Sequence, residues 1–599
     1  MKKSLQLLVA LLAVTLCAAP SRLAAQQRAS SRPNIILVLT DDMGYSDLGC
    51  YGSEISTPNL DSLAMHGLRY TQFYNVGHCC PSRASLMTGL YPQQTGLGWM
   101  TARKFDEPGY TDELNNHCVT IAEVLKTAGY ATFMTGKWHL CRDVHQGDPD
   151  YDWPLQRGFE KFYGILEGAG NYYDPAALCR GNTLITPEDD TAYQPAHFYF
   201  TRAISDNSVR FIQDRPRDRP FFMYVAYTAA HWPMQAPEAD IAKYRGKYDK
   251  GWGVLRAERL AREKRLGVID SSTVLSPLEA LPWDQESDKP AMARRMETYA
   301  AMVSVMDEGV GEIVKELKKE GIYDNTIILF LQDNGGNGEG VGFGGPGGAA
   351  RPVAKDTAGI RPMSRDEVEY AVITPQTRDG RVVMMGKRLM AGPADTYLAY
   401  LKPWGELSNT PFRKYKNFVY EGGVATPLIV HWPDGIHAAP GAIRKQVSHE
   451  IDIMPTLAEL AGARYPVSYK GEPITPEAGV SLVGTFRDSA LAPRAIYFAH
   501  QGNRAVRMGD WKLISGGILH GPYGKWESLT RLPWQLYNMK DDRTELRDLS
   551  AQYPGRVKKM AAMWDAWAKK AQVLPIPWKE ERPPLQSYYM STPWQFPDL

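Results

Sequence analysis

Charge of one sign is missing from this 599-residue sequence: 68 lysines and arginines stand against 67 aspartates and glutamates, a net charge of +1. A nucleic-acid or membrane-surface protein needs a strong one-sided field, so neither class is expected. Long apolar runs are missing too. The mainly apolar stretch Leu5–Leu16 is shorter than the roughly 18–20 residues of a membrane span. Cysteine is scarce, at positions 17, 50, 79, 80, 118, 141 and 179 and nowhere later. That excludes a disulfide scaffold for most of the chain. Disorder throughout is excluded because hydrophobic residues make up 44% and charged residues 23%, ordinary globular usage.

The amino terminus reads as a signal peptide over residues 1–25. Lys2 and Lys3 precede the apolar stretch, and small residues follow at Ala18, Ala19, Ala24 and Ala25. The expected mature protein is exported, periplasmic or secreted, with no membrane span. Loss of Cys17 leaves six cysteines in an oxidising compartment, with room for one or two bridges among Cys50, Cys118, Cys141 and Cys179 in an open connectivity.

Four short apolar runs read as buried parallel strands: Ile35–Thr40, Ala131–Thr135, Phe221–Tyr227 and Thr326–Leu331. They are non-alternating, rich in β-branched and aromatic residues, and separated by helical stretches such as 118–129 and 299–319. This alternation implies an α/β fold, an open parallel sheet with helices on both faces. Each run leads into reactive residue types: Asp41-Asp42, then Lys137-Trp138-His139, then His231, then Asp333-Asn334. In such sheets the carboxyl ends of the strands converge on a ligand. The domains expected are a catalytic unit over 26–490 and a smaller subdomain with a tail over 491–599. The latter is a small antiparallel sheet with a turn at Gly509-Asp510 and a packed helix near 554–571, where Val557, Met560, Met563, Trp564, Trp567 and Ala571 share one face. Gly340-x-Gly342-x-x-Gly345 lies in the glycine-rich stretch 335–350, but no helix pattern follows it, so a mobile loop is expected there instead of a dinucleotide site.

The densest motif is His78-Cys79-Cys80-Pro81-Ser82-Arg83, closed by Thr88-Gly89. With the segment Gly129–His139 (GYATFMTGKWH), it resembles the two signatures of the formylglycine-dependent sulfatases, and the likeness to bacterial arylsulfatases runs from about residue 33 to about 540. The resemblance implies a large mixed, mainly parallel sheet sandwiched by helices, similar to alkaline phosphatase. It also implies oxidation of Cys79 to formylglycine by a maturation enzyme. One hydroxyl of the aldehyde hydrate would attack sulfur as the alkoxide departs, and the second would then lose its proton and expel sulfate as the aldehyde reforms, whereas a serine would be stranded as a stable sulfate ester. By the same resemblance Asp41, Asp42, Asp333 and Asn334, with the modified Cys79, hold one Ca²⁺. Their all-oxygen donors suit a hard cation and disfavour zinc. Arg83, Lys137 and Lys416 would neutralise the sulfuryl oxygens, His139 would orient the diol, and His231, aided by Lys416, would protonate the leaving oxygen.

The expected reaction is hydrolysis of a sulfate monoester, of an aryl alcohol or a carbohydrate, to alcohol and inorganic sulfate. The rivals are a phosphonate monoester or phosphodiester hydrolase using the same nucleophile, and an inactive exported glycan-binding protein. A soft-metal site on Cys79-Cys80 fits zinc spacing poorly. Trp99, Asn171, Tyr172 and His500 are the candidates for the leaving-group pocket.

Overall fold

The computed structural model describes residues 32–101, 104–340, 360–516 and 533–577. The signal peptide, the GxGxxG stretch from residue 341 onward and the tail from residue 578 lie outside the described residues. Among the described residues no helix is long and apolar enough to cross a membrane.

The four sequence-predicted strands form the centre of one large sheet. They are β1 (Asn34–Thr40), β3 (Ala131–Lys137), β7 (Phe221–Ala226) and β8 (Thr326–Gln332). Around them run β2 (Leu68–Tyr74), β4 (Lys161–Ile165), β5 (Leu178–Arg180), β6 (Thr183–Leu184), β9 (Ala425–His431), β10 (Ala442–Arg444) and β11 (Ser448–His449). The order is β10-β2-β9-β8-β1-β7-β3-β4-β5-β6, with β11 beside β2. The central neighbours are parallel, whereas β9 runs antiparallel to both β2 and β8. The sheet is therefore mixed and mainly parallel.

Alternation of side chains about the strand axis explains why the central strands are apolar throughout. Ile36 and Val38 of β1 face one core with Met223, Val225, Ile328 and Phe330. Ile35, Leu37 and Leu39 face the other with Phe222, Tyr224, Ile327 and Leu329. Each such side chain contributes about 1.5–3 kcal/mol through burial, so a polar residue on either face would be costly. Helices cover both faces. The 31-residue helix Lys289–Lys319 begins ten residues before the sequence pattern placed it, and the helix read over 118–129 is confined to Ile121–Thr127. Thr120 caps that shorter helix, with Glu123 reaching back to its amide, and Gly129 beyond it takes φ +80°.

The carboxyl-terminal strands Ala495–His500, Asn503–Met508, Trp511–Ser515 and Gln535–Asn538 form a four-stranded antiparallel sheet. Phe498, Ala505, Ile514 and Tyr537 join the main core. Val506, Leu513 and Leu536 pack instead on Met560, Trp564 and Ala568 of the helix Pro554–Lys570.

The bridges that the sequence left open among the cysteines do not form. Cys50, Cys79, Cys80, Cys118, Cys141 and Cys179 are all buried free thiols. Cys50 donates its backbone N–H to Asp61, Cys118 Sγ lies on the Asn115 carbonyl, and Cys179 Sγ on the Gly181 carbonyl.

Candidate active site

Strands β8, β1, β7 and β3 are consecutive neighbours, so the loops leaving their carboxyl ends meet over the middle of the sheet. Backbone hydrogen bonds knit those loops together. Asp333 N donates to Thr40 O at 3.1 Å, and Ala230 N donates to Asp41 O at 2.8 Å. Asp42 and His139 adopt left-handed backbones, φ +57° and +55°, a conformation that costs a non-glycine residue energy and gathers at functional sites.

Cys79 opens the ten-residue helix Cys79–Thr88, whose first-turn N–H groups and dipole favour an anion at that end. Gly89, in the left-handed region at φ +71°, terminates the helix. Burial pushes the Cys79 thiol up to about 11, against the lowering charges of Lys137 and Lys416. An unmodified thiol there is not a thiolate nucleophile at neutral pH.

The charged residues form one buried network. Arg83 Nη2 lies 2.8 Å from Asp333 Oδ2 and 3.2 Å from Asp41 Oδ2, and Arg83 Nη1 donates to the Lys137 carbonyl at 3.0 Å. Lys137 Nζ also pairs with Asp41. Lys416 Nζ lies 2.8 Å from Asp42 Oδ1 and 3.3 Å from His231 Nε2, which itself stands 3.5 Å from Asp42 Oδ2. Asn334 Nδ2 donates to Asp42 Oδ1 at 2.7 Å. All eight of these residues are at most 4% exposed. The structure thus brings Cys79, Arg83, Lys137, His231, Lys416, Asp41, Asp42, Asp333 and Asn334 to one place. His139 lies beside them, its ring against Gly168, where an added Cβ would stand 2.6 Å from Cε1 and Nε2.

Protonation follows from this packing. Burial works against ionised Asp41, but the positive charges of Lys137, Arg83 and Lys416 outweigh it and hold the carboxyl well below its usual range. Burial and the Asp41 charge push Asp333 up to about 7, despite Arg83. Burial, with Lys137 and Arg83, drives His139 well below its ordinary value, so its ring is neutral. His231 is lowered by burial and by Lys416, against Asp42. Its Nδ1 lies 2.8 Å from the Trp232 carbonyl, which can only accept, so Nδ1 carries the hydrogen and Nε2 is the acceptor facing Lys416. Lys416 keeps its proton, since Asp42 and Glu339 outweigh its burial.

The donor chemistry fits a hard cation. Asp41, Asp42, Asp333 and Asn334 offer carboxylate and amide oxygens, and two buried oxygens, Asp41 Oδ1 and Asn334 Oδ1, have no hydrogen-bond partner. Among the described residues Asp41, Asp42 and His231 form the one group of carboxylate, imidazole or thiol ligands converging within 4.8 Å, and Cys79 and Cys80 belong to none.

Asn337 and Glu339 were not among the sequence-predicted residues. Asn337 Nδ2 donates to Asp42 Oδ2 at 2.6 Å and to Glu339 Oε2 at 3.1 Å, and Trp232 Nε1 donates to the same Glu339 oxygen at 2.8 Å. Two polar side chains among the glycines directly after Asp333-Asn334 were the available signal. The carboxyl-terminal sheet braces the Lys416 segment. Asn503 Nδ2 donates to Asn417 O at 3.0 Å, and Lys512 Nζ sits between Glu421 and Glu545 at 2.9 and 2.8 Å, all three fully buried.

The four pocket candidates divide. Asn171 Nδ2 donates to Ala394 O, and Tyr172 OH donates to the carbonyls of Thr228 and His231, so both brace loops. Trp99 stacks on His500, whose ring lies 4.8 Å from His78, the neighbour of Cys79. His500 also lines a cavity of about 140 Å³ with Gln93, Tyr110, Trp564 and Leu574.

The sulfatase profile matches residues 33–463, most of the chain. The chain belongs to the sulfatase family. A second profile, described as N-sulphoglucosamine sulphohydrolase, C-terminal, matches residues 412–564 of this sulfatase. An arylsulfatase of Klebsiella aerogenes is 32% identical over 495 residues, 80% of this chain and 96% of its own. An uncharacterized sulfatase of Schizosaccharomyces pombe is 30% identical over 579 residues, 92% of this chain and 96% of its own. The crystal structure of Ps i-CgsB matches with a TM-score of 0.58 at 25% identity, covering 92% of this chain and 95% of that one. This sulfatase is a sulfuric ester hydrolase, acting on sulfate esters.

Proposed function

We propose that this sulfatase is an exported enzyme that hydrolyses a sulfate monoester of an aryl or carbohydrate alcohol, using a formylglycine made from Cys79 by a maturation enzyme and a bound Ca²⁺. The observation that carries this reading is the buried meeting of Cys79, at a helix amino terminus, with three cationic and three carboxylate side chains. When present, the hydrated aldehyde supplies an oxygen nucleophile, and the cation on Asp41, Asp42, Asp333 and Asn334 supplies fixed positive charge for a sulfate oxygen.

The chain's own residues do the rest. Arg83 and Lys137 are held in place by Asp41 and Asp333 before substrate arrives, so their charges stabilise developing negative charge without reorganisation. The neutral His139 accepts a proton as sulfate departs. At the leaving group the proton resides on Lys416 Nζ, next to the Nε2 acceptor of His231, so this pair donates to the departing oxygen. Exclusion of water by the buried walls strengthens each of these interactions.

The arylsulfatase relative supports sulfate over the phosphonate monoester or phosphodiester alternative, and the full set of reactive side chains supports catalysis over a glycan-binding scaffold. Peptide mass spectrometry over residue 79 in protein from the native host tests the nucleophile: the expected mass is that of the aldehyde, and unmodified cysteine in active enzyme overturns the reading. Turnover of 4-nitrophenyl sulfate beside a phenylphosphonate ester tests the substrate, with the sulfate expected to be preferred.

A further inference from the structure

We propose that Glu339 is a positioning residue for the proton donor, a role that rests on the reading of His231 and Lys416 just given. One carboxylate oxygen, Oε2, accepts from Trp232 Nε1 at 2.8 Å and from Asn337 Nδ2 at 3.1 Å. That Asn337 amide also donates to Asp42 Oδ2 at 2.6 Å, and Asn337 Oδ1 accepts the Glu339 backbone N–H. Glu339 therefore joins the loop after β8, whose Asn337 binds Asp42 of the loop after β1, to the loop after β7, which contains His231.

Trp232 is the link on the second side. It follows His231 directly, its carbonyl accepts from His231 Nδ1 at 2.8 Å, and its ring packs 4.3 Å from the imidazole. The indole also packs on the Tyr397 ring at 5.8 Å, an apolar contact that does not fix rotation about the ring normal. The indole N–H is donor-only, and its 2.8 Å hydrogen bond to the Glu339 carboxylate holds it in one direction. His231 Nε2 meets Lys416 at 3.3 Å, the long end of a hydrogen bond, so a small tilt of the Trp232–His231 unit breaks the pair that delivers the proton.

The consequence depends on the leaving group. Assistance by an acid matters little for an activated phenol and greatly for a poor leaving alcohol. Glu339→Ala, Glu339→Gln, Trp232→Phe and the double variant Glu339→Ala/Trp232→Phe are compared on 4-nitrophenyl, phenyl and alkyl sulfates. Glu339→Ala and Trp232→Phe are expected to lose turnover progressively, the loss for phenyl sulfate exceeding that for 4-nitrophenyl sulfate by about tenfold. Glu339→Gln keeps an oxygen that accepts from Trp232 Nε1, so it should recover most of the lost turnover. The double variant should be no worse than Glu339→Ala, because both remove the same link. A uniform loss across the three esters, a Glu339→Gln enzyme as impaired as Glu339→Ala, or additive losses would overturn the proposal. Should Glu339→Ala fail to fold, Trp232→Phe carries the same comparison. Wild-type enzyme with a verified aldehyde at residue 79 and no sulfate release would instead sink the reading of the site as a whole.

Discussion

Replacing Gly168 with alanine would place a methyl carbon 2.6 Å from both Cε1 and Nε2 of His139. Carbon atoms rest about 3.5–4.0 Å apart, so the imidazole must retreat by about 1 Å or the loop must move with it. Overpacking of this kind costs about 1–3 kcal/mol of stability, which a protein of this size survives. The catalytic cost is larger in proportion, because a displacement of about 1 Å in a reacting group can lower turnover about 100-fold. Gly168→Ala should therefore stay folded by urea denaturation while its kcat on 4-nitrophenyl sulfate falls roughly 100-fold. Gly555→Ala is the control, because an added Cβ there meets nothing within 4 Å. A Gly168→Ala enzyme with kcat within about threefold of wild type would refute the inference that the position of His139 limits turnover.

Cys79→Ala should abolish turnover with folding intact, and Cys79→Ser should be equally inactive if maturation accepts only cysteine; wild-type activity in either variant would disprove the nucleophile. Exhaustive chelation should remove activity, and calcium should restore it where zinc does not. Calcium at about 100 times its Kd should also raise unfolding stability by about 2.7 kcal/mol, and an unchanged denaturation curve would count against the cation site. Lys416→Ala should slow phenyl sulfate more than 4-nitrophenyl sulfate, and equal losses would argue against proton delivery from Lys416. Burial lowers His431 from 6.5 to about 4. Between those values the unfolded chain takes up a proton that the folded one refuses, so stability falls as pH drops from 6.5 to 4, by at most about 3 kcal/mol. His431→Leu should flatten that part of the pH–stability curve, and identical slopes in the two proteins would exclude the assignment.

The central strands were legible because β1, β7 and β8 are buried on both faces, which forces continuous apolar runs that local pattern can detect. The antiparallel β9 was not, since its run ATPLIVH carries no mark of direction and only its place between β2 and β8 sets it. Cysteine count alone left bridges open among Cys50, Cys118, Cys141 and Cys179, and in the fold each of them is a buried free thiol. The chemistry around Cys79 was readable because the motif that resembles the sulfatase signature is local in sequence, and because Asp41, Asp42, His139, Asp333 and Asn334 stand one or two residues after a strand.

By itself the sequence determined which residue types reach the carboxyl edge of the sheet, since strand length and polarity set where each chain segment ends. Tertiary structure alone decided how they act on one another. The proton on Lys416, the neutral rings of His139 and His231 and the raised Asp333 all come from burial and from charges far apart along the chain. Glu339 acquires a role only because three loops close on Trp232 and Asn337, a proximity set by packing instead of by neighbouring residues.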